Sequence, residues 1–105
     1  MKVLHLLILL STLLMAGCSN LLYYPNQNRL YYDPGSVGFS PTDVYFTDVA
    51  QRKLHGWWFP SKPMPAKGTV VFFHGNAENL TSHFMHLAWI SAEGYNFFIF
   101  DYPGY

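Results

Sequence analysis

Charged side chains are scarce in this 105-residue chain, where Lys, Arg, Asp and Glu make up only 11%, against ~25% in typical soluble proteins. Six basic and six acidic residues cancel, which argues against a nucleic-acid binder and against charge-driven attachment to a surface. Cysteine occurs once, so no disulfide framework within the chain supports the fold. Internal repeats and low-complexity stretches are missing as well. What remains is half hydrophobic and 19% aromatic, the opposite of a disordered composition. Nine Phe, eight Tyr and three Trp imply a core larger than so short a chain closes alone, or a surface for a partner.

The N-terminus reads as a targeting segment. Lys2 is followed by an apolar run over residues 3–14 and by the small residues Ala16 and Gly17 before Cys18. The run is short of the ~20 residues that span a bilayer and fits the h-region of a secretory signal peptide. The stretch Leu14-Met15-Ala16-Gly17-Cys18 resembles a bacterial lipobox, with Met15 where Leu or Val is commoner. That resemblance implies a signal peptide over residues 1–17 and a lipidated Cys18 as the mature N-terminus, held firmly because more than one acyl chain is attached. Ser19 in place of Asp points to the outer membrane, facing the periplasm. Simple cleavage, or retention as a membrane helix, are the alternatives.

Residues 18–43 read as a tether that wraps over the domain, since Pro25, Pro34 and Pro41 interrupt any long element. Tyr23, Tyr24, Tyr31 and Tyr32 fit a cover over apolar surface, their hydroxyls wet, better than a stacking platform for a ligand. Residues 44–49 and 53–59 are β-rich runs joined by a short turn, which predicts a hairpin. Both sides of the second run are apolar, so both faces require cover. Residues 69–73 and 96–100 lack polar alternation, as strands buried on both faces do. Between them Leu80, Phe84, Leu87 and Ala88 fall at helical spacing, with Asn79 or Thr81 as cap and Gly94 as stop. Strand, helix and strand over about 30 residues form a βαβ unit, hence a parallel pair with a right-handed crossover.

The stretch TVVFFHGNAEN ends its strand abruptly at His74-Gly75. Such a turn suits acyl transfer, in which preorganised N–H groups stabilise a developing oxyanion and each is worth roughly 10²–10³ in rate. Gly75 is expected to allow the sharp turn, leaving the amides of Asn76 or Ala77 to point into a cleft. His74, His83, His86 and Glu78 do not make a persuasive metal set, because a defined third spacing is missing. His74 is read as a hydrogen-bonding residue of the turn, and Asp101 as a satisfied loop carboxylate.

The segments GTVVFFHGNAENLTSH and EGYNFFIFDYPGY, preceded by KLHGWWFP, resemble the N-terminal part of bacterial α/β-hydrolases of the serine-hydrolase type. The resemblance covers about residues 30–105. It implies an α/β fold: an antiparallel β-hairpin, then a β-α-β unit of a mostly parallel sheet, with residues 44–105 an incomplete domain. It also implies that His74, Gly75, Asn76 and Ala77 form the oxyanion loop, with Asn76 as donor, and that Asp101, Tyr102, Gly104 and Tyr105 line the pocket. Pro103 stands where the family often has Arg. The family's nucleophile sits in a G-x-S-x-G elbow, and no serine here fits. Ser19 has Gly17 before it and Leu21 after, Ser36 has Pro34 before it and Gly38 after, Ser40 has Gly38 before it and Thr42 after, and Ser11, Ser61, Ser82 and Ser91 lack both glycines. The expectation is therefore the N-terminal part of a lipid-anchored ester, thioester or amide hydrolase, inactive by itself and needing no metal or cofactor. Its partners would be the membrane, through Cys18, a complementing C-terminal chain, and a small ester or amide substrate once completed. The alternatives are a small non-catalytic envelope lipoprotein and one half of a split hydrolase. In this topology residues 69–73 become an exposed apolar edge, prone to association.

Overall fold

The computed structural model describes residues 3–5 and 23–105. Apart from residues 3–5, the expected signal peptide lies outside the described residues, and so does Cys18. The described chain forms strands β1 (Tyr24–Pro25), β2 (Thr42–Thr47), β3 (Lys53–Phe59), β4 (Gly68–Phe72) and β5 (Ala77–Glu78). A short helix α1 (Leu80–His83) and strand β6 (Tyr95–Phe100) follow. Four of the strands make a sheet in the order β2-β3-β6-β4, and β1 and β5 make a separate parallel bridge.

The predicted hairpin forms, with its second strand as expected and its first two residues earlier, at Thr42–Thr47 in place of 44–49, so that Asp48 and Val49 join the turn. Its turn is organised by Asp48, whose carboxylate accepts the backbone N–H groups of Ala50 and Arg52, both at 2.9 Å, and pairs with the Arg52 guanidinium at 2.6 Å. The sheet as a whole is mixed. β2-β3 and β3-β6 are antiparallel, and β4-β6 is parallel, so the expected mostly parallel character is confined to the βαβ pair. β4 lies at the sheet edge, the position that the topology predicts.

Residues paired across strands share a face. Two rows, Trp57–Ile99–Phe72 and Phe59–Phe97–Val70, lie on one side. Leu80, Phe84, Ala88 and Ile90 from the segment between β4 and β6 bury that side. Phe84 is central, stacked on Phe59 at 5.7 Å and edge-on to Trp57 at 5.4 Å. On the opposite side Trp58 pairs with Phe98, and Phe98 with Val71.

The segment from Asn79 to Gly94 departs from the single helix that its apolar stripe predicts. α1 runs for one turn and is followed by two 3₁₀ turns, Phe84–His86 and Ala88–Ser91, separated by Leu87 at φ −133°. Side chains take up carbonyls here: the Trp89 indole donates to the His86 carbonyl at 3.0 Å and the Ser91 hydroxyl to that of Ala88 at 2.8 Å. Local bonds of this kind compete with a regular helix. The stripe residues Leu80, Phe84 and Ala88 are still fully buried. Asn79, not Thr81, is the cap, accepting the Thr81 N–H. Gly94 closes the segment at φ +98°.

Candidate functional site

β4 and β6 run parallel with Phe72 opposite Ile99, so the residues two positions on, His74 and Asp101, emerge together at the carboxyl edge of the sheet. Ligands of open α/β sheets bind at that edge. His74 Nε2 lies 3.0 Å from Asp101 Oδ1 and Nδ1 lies 2.8 Å from the Gly75 carbonyl. Both ring nitrogens thus face oxygen acceptors, and a neutral imidazole donates to only one. Asp101 Oδ1 also accepts the Leu80 N–H at 2.7 Å, and the Asp101 N–H donates to the His55 carbonyl at 2.9 Å. One carboxylate therefore ties the ends of β4 and β6 to the start of α1, while its backbone bonds to β3.

The His74 side chain is completely enclosed. Its ring stacks between His83, at 5.0 Å, and Tyr102, at 4.5 Å, with Tyr105 edge-on at 5.0 Å. The Tyr102 hydroxyl donates to the His74 carbonyl at 2.7 Å. Burial, then the neighbouring Tyr105 and Asp101, push the Tyr102 hydroxyl above its usual pKa; burial, then Tyr23 and Asp101, do the same for Tyr105. Both phenols stay protonated at neutral pH, and the Tyr105 hydroxyl oxygen is buried with no hydrogen-bond partner among the described residues.

Residues 75–78 follow directly, and Gly75, Asn76, Ala77 and Glu78 are all exposed. The sharp point of the turn is not where the sequence suggests. Gly75 is not among the residues with positive φ, and a Cβ there would meet nothing nearer than the His83 ring at 3.7 Å. The left-handed residue is Glu78, at φ 63°, which as a non-glycine is uncommon in that region. Of the pocket-lining set, Asp101, Tyr102 and Tyr105 sit against His74. Gly104 adopts φ +101°, with its would-be Cβ 3.1 Å from the Tyr23 hydroxyl.

Sequence reasoning missed how the segment before β2 reaches this loop. The Tyr24 N–H donates to the Asn76 carbonyl at 3.0 Å and the Asn26 N–H to that of Glu78 at 3.2 Å. Asn79, almost fully buried, donates from its side chain to the carbonyls of Asn26 and Arg29 at 2.6 and 2.8 Å. The Tyr23 hydroxyl donates to the Pro103 carbonyl at 2.9 Å. A buried Asn at a cap position was the available signal, but the pattern shows only the cap. Among the described residues, no group of three or more His, Cys, Asp or Glu gathers to hold a metal. His83 Nε2 is instead 2.7 Å from the Ala77 carbonyl. An open groove of about 180 Å³ beside Phe39, Phe59, Lys62 and Ser91 lies toward the other end of the sheet, where Phe59 pairs with Phe97.

No family model matches the chain. It is similar to the uncharacterized protein YfhR of Escherichia coli K12, at 35% identity over 89 residues, 82% of this chain and 30% of the relative. The Salmonella typhi YfhR is 32% identical over 106 residues, 98% of this chain and 35% of the relative. The chain thus spans about a third of the length of the relatives it matches. Among solved structures it is similar to the Pyrococcus furiosus esterase Pf2001 in two crystal forms. One gives a TM-score of 0.60 at 27% identity, covering 79% of this chain and 32% of the esterase. The other gives 0.58 at 28%, covering 76% and 31%. The described residues therefore carry part of an esterase-like fold, with parallel and antiparallel strands in one sheet.

Proposed function

We propose that these 105 residues supply the first part of a serine hydrolase of the α/β-hydrolase type, acting on ester, thioester or amide bonds and anchored through a lipid on Cys18 to the bacterial outer membrane, facing the periplasm. The observation that carries the reading is the His74–Asp101 pair beside the exposed 75–78 turn, at the carboxyl edge of a parallel strand pair, in a fold similar to that of an esterase. In this reading the backbone amides of the turn, that of Asn76 first, stabilise the tetrahedral oxyanion. His74 and Asp101 act as a scaffold: each is engaged by backbone groups, and among the described residues no serine or cysteine contacts either side chain. Asp101 is also, with Tyr102, Gly104 and Tyr105, part of the loop that lines the pocket. The serine, its acid and its histidine are supplied by further elements, because the 105 residues hold no G-x-S-x-G.

A fluorophosphonate probe tests the reaction. The 105-residue chain stays unlabelled, whereas a chain of the relatives' length that begins with these residues labels stoichiometrically at one serine. Labelling of a serine within residues 1–105, or none in the longer protein, overturns the reading. The anchor has its own test: palmitate incorporation in cells that Cys18→Ser abolishes. Incorporation unchanged by that substitution, or none at all, removes the anchor from the proposal.

A further inference from the structure

The segment before β2 touches the candidate site in a way that its sequence does not advertise. Between Tyr23 and Tyr32 it makes backbone or side-chain hydrogen bonds to Asn76, Glu78, Asn79, Thr81 and Pro103, which takes in both loops of the site. We propose that Tyr23–Arg29 is a positioning strap, and that the conformation of the oxyanion turn is set by its pairing with β1 rather than by the turn's own sequence.

Three observations carry this. First, the turn holds a non-glycine residue, Glu78, in the left-handed region. Such a conformation is strained and persists only where the surroundings over-determine it. The Glu78 carbonyl accepts the Asn26 N–H, and the carbonyl two residues earlier accepts the Tyr24 N–H, so the strap brackets the strained residue from both sides. Second, Asn79 has no capacity to spare. Its side-chain oxygen accepts both the N–H and the hydroxyl of Thr81, and its amide N–H groups bind the carbonyls of Asn26 and Arg29. The residue that starts α1 is therefore the one that holds the strap, and a shift in either moves both. Third, Tyr23 fastens the strap to the second loop, through the Pro103 carbonyl and an edge-on contact with Tyr105 at 5.2 Å. These bonds run mostly to backbone, so they orient amides and carbonyls directly. Tyr23 and Asn79 are positioning residues, not catalytic ones. The functional meaning of the strap rests on the turn being an oxyanion loop, but the coupling of strap to turn does not.

Backbone substitution in the full chain separates the strap's hydrogen bonds from its side chains. Tyr24→Pro removes the N–H that donates to Asn76, while Tyr24→Ala keeps it and trims a side chain that is 60% exposed. Amide exchange and ¹⁵N shifts of residues 75–81 report the turn, and the amides of Phe97 and Ile99 in β6 report the core. The strap predicts about tenfold faster exchange at residues 77–81 in Tyr24→Pro, the equivalent of one lost hydrogen bond, with moved ¹⁵N shifts at Gly75–Ala77. It predicts wild-type behaviour in Tyr24→Ala and an unchanged core in both. Asn79→Asp keeps the cap acceptor but loses both donors to the strap, and it reproduces the effect by an independent route should Tyr24→Pro not fold. Unchanged turn amides in these variants, or loss of protection in β6 equal to that in the turn, overturn the proposal. Fluorophosphonate labelling reads the hydrolase function separately, so either idea can fall while the other stands.

Discussion

On one face of the β2-β3-β6-β4 sheet, Trp57, Phe59, Phe97 and Ile99 lie buried beneath residues 80–91, and Phe97 and Ile99 expose nothing. On the other, Phe46, Trp58, Phe98 and Phe100 contact one another ring to ring. Val71 and Phe73 on that side remain 48% and 66% exposed. The runs that build the two faces are equally apolar, since β4 and β6 have no polar alternation. What separates the faces is where in the chain their cover is found. The first is covered by the segment that joins β4 to β6, which a right-handed crossover places on one side only. Among the described residues no segment covers the second face in that way, and its aromatic rings contact each other. Contiguous exposed apolar surface of this kind marks an interaction site. With β4 also at the sheet edge, Val71 and Phe73 put exposed apolar side chains beside unpaired strand backbone, the combination that favours association.

The largest effect expected is on the covered face. Phe97 is at 0% exposure, in contact with Phe59 and Phe72, and Phe97→Ala deletes the centre of the core. The loss expected is ~3–5 kcal/mol, read as a fall in the urea midpoint or as loss of the folded signal in far-ultraviolet circular dichroism. A loss below 1 kcal/mol would mean that the covered face is no better packed than the open one, and the comparison would fail.

Gly56→Ala asks whether the open face is merely uncovered or also loosely packed. A Cβ at Gly56 would come 2.7 Å from the Ile99 carbonyl oxygen and 2.8 Å from the Phe98 ring. The first neighbour is backbone within a paired strand and has nowhere to go. The expected cost is ~1–3 kcal/mol. A neutral substitution would show that the Phe98 ring and the β3-β6 backbone pairing both give way here, so that this face is loosely packed.

These contrasts also mark how far the sequence could be read. The strands were legible because unbroken runs of β-formers leave little choice, and the edge position of β4 followed from the strand order that the α/β-hydrolase resemblance implies. The break of residues 80–91 into 3₁₀ turns was not, because it depends on where the Trp89 indole and the Ser91 hydroxyl find acceptors. At the site, His74 and Asp101 each stood out, and parallel strand register explains their meeting. Assigning the sharp turn to Gly75 was reasonable from glycine's freedom, but the left-handed residue proved to be Glu78. A strap that bonds through backbone N–H groups leaves no side-chain pattern from which to infer it.

Val71→Lys sharpens the comparison from the open side. Val71 is half-exposed on the edge strand, so its replacement changes stability by no more than ~0.5 kcal/mol. Charge on an edge blocks strand-to-strand association. Sedimentation velocity of the purified chain should show concentration-dependent association in the native sequence and less of it in Val71→Lys. Equal association in both would place the associating surface elsewhere.

The smallest effect distinguishes the faces by pH. The strand residues of the open face (Thr42, Val44, Phe46, Leu54, Gly56, Trp58, Asn96, Phe98, Phe100, Thr69 and Val71) include no titratable group. The covered face carries Asp43 at its margin, where one carboxylate oxygen lies 2.6 Å from His55 Nε2 and accepts the Trp57 indole N–H at 3.1 Å. The His55 hydrogen bond, helped by that of Trp57 and opposed by partial burial, holds the Asp43 carboxyl below its ordinary pKa. A carboxylate whose folded pKa is depressed contributes stability that is present above its unfolded value, near ~4, and is lost as pH falls through the lower folded value. Acid below about pH 4 should therefore loosen β2 from β3 beside Trp57 while the open-face contacts persist. The pair is largely exposed and screened, so the change is small. It is read as a shift in amide exchange at residues 43–47 and 53–57. Asp43→Asn should remove its contribution to the pH dependence, although Asp48 in the neighbouring turn, also held low chiefly by Arg52, keeps a residual slope. An identical acid profile with and without Asp43 would show that this carboxylate does not secure the covered face's edge, leaving the connecting segment as the chief difference between the two faces.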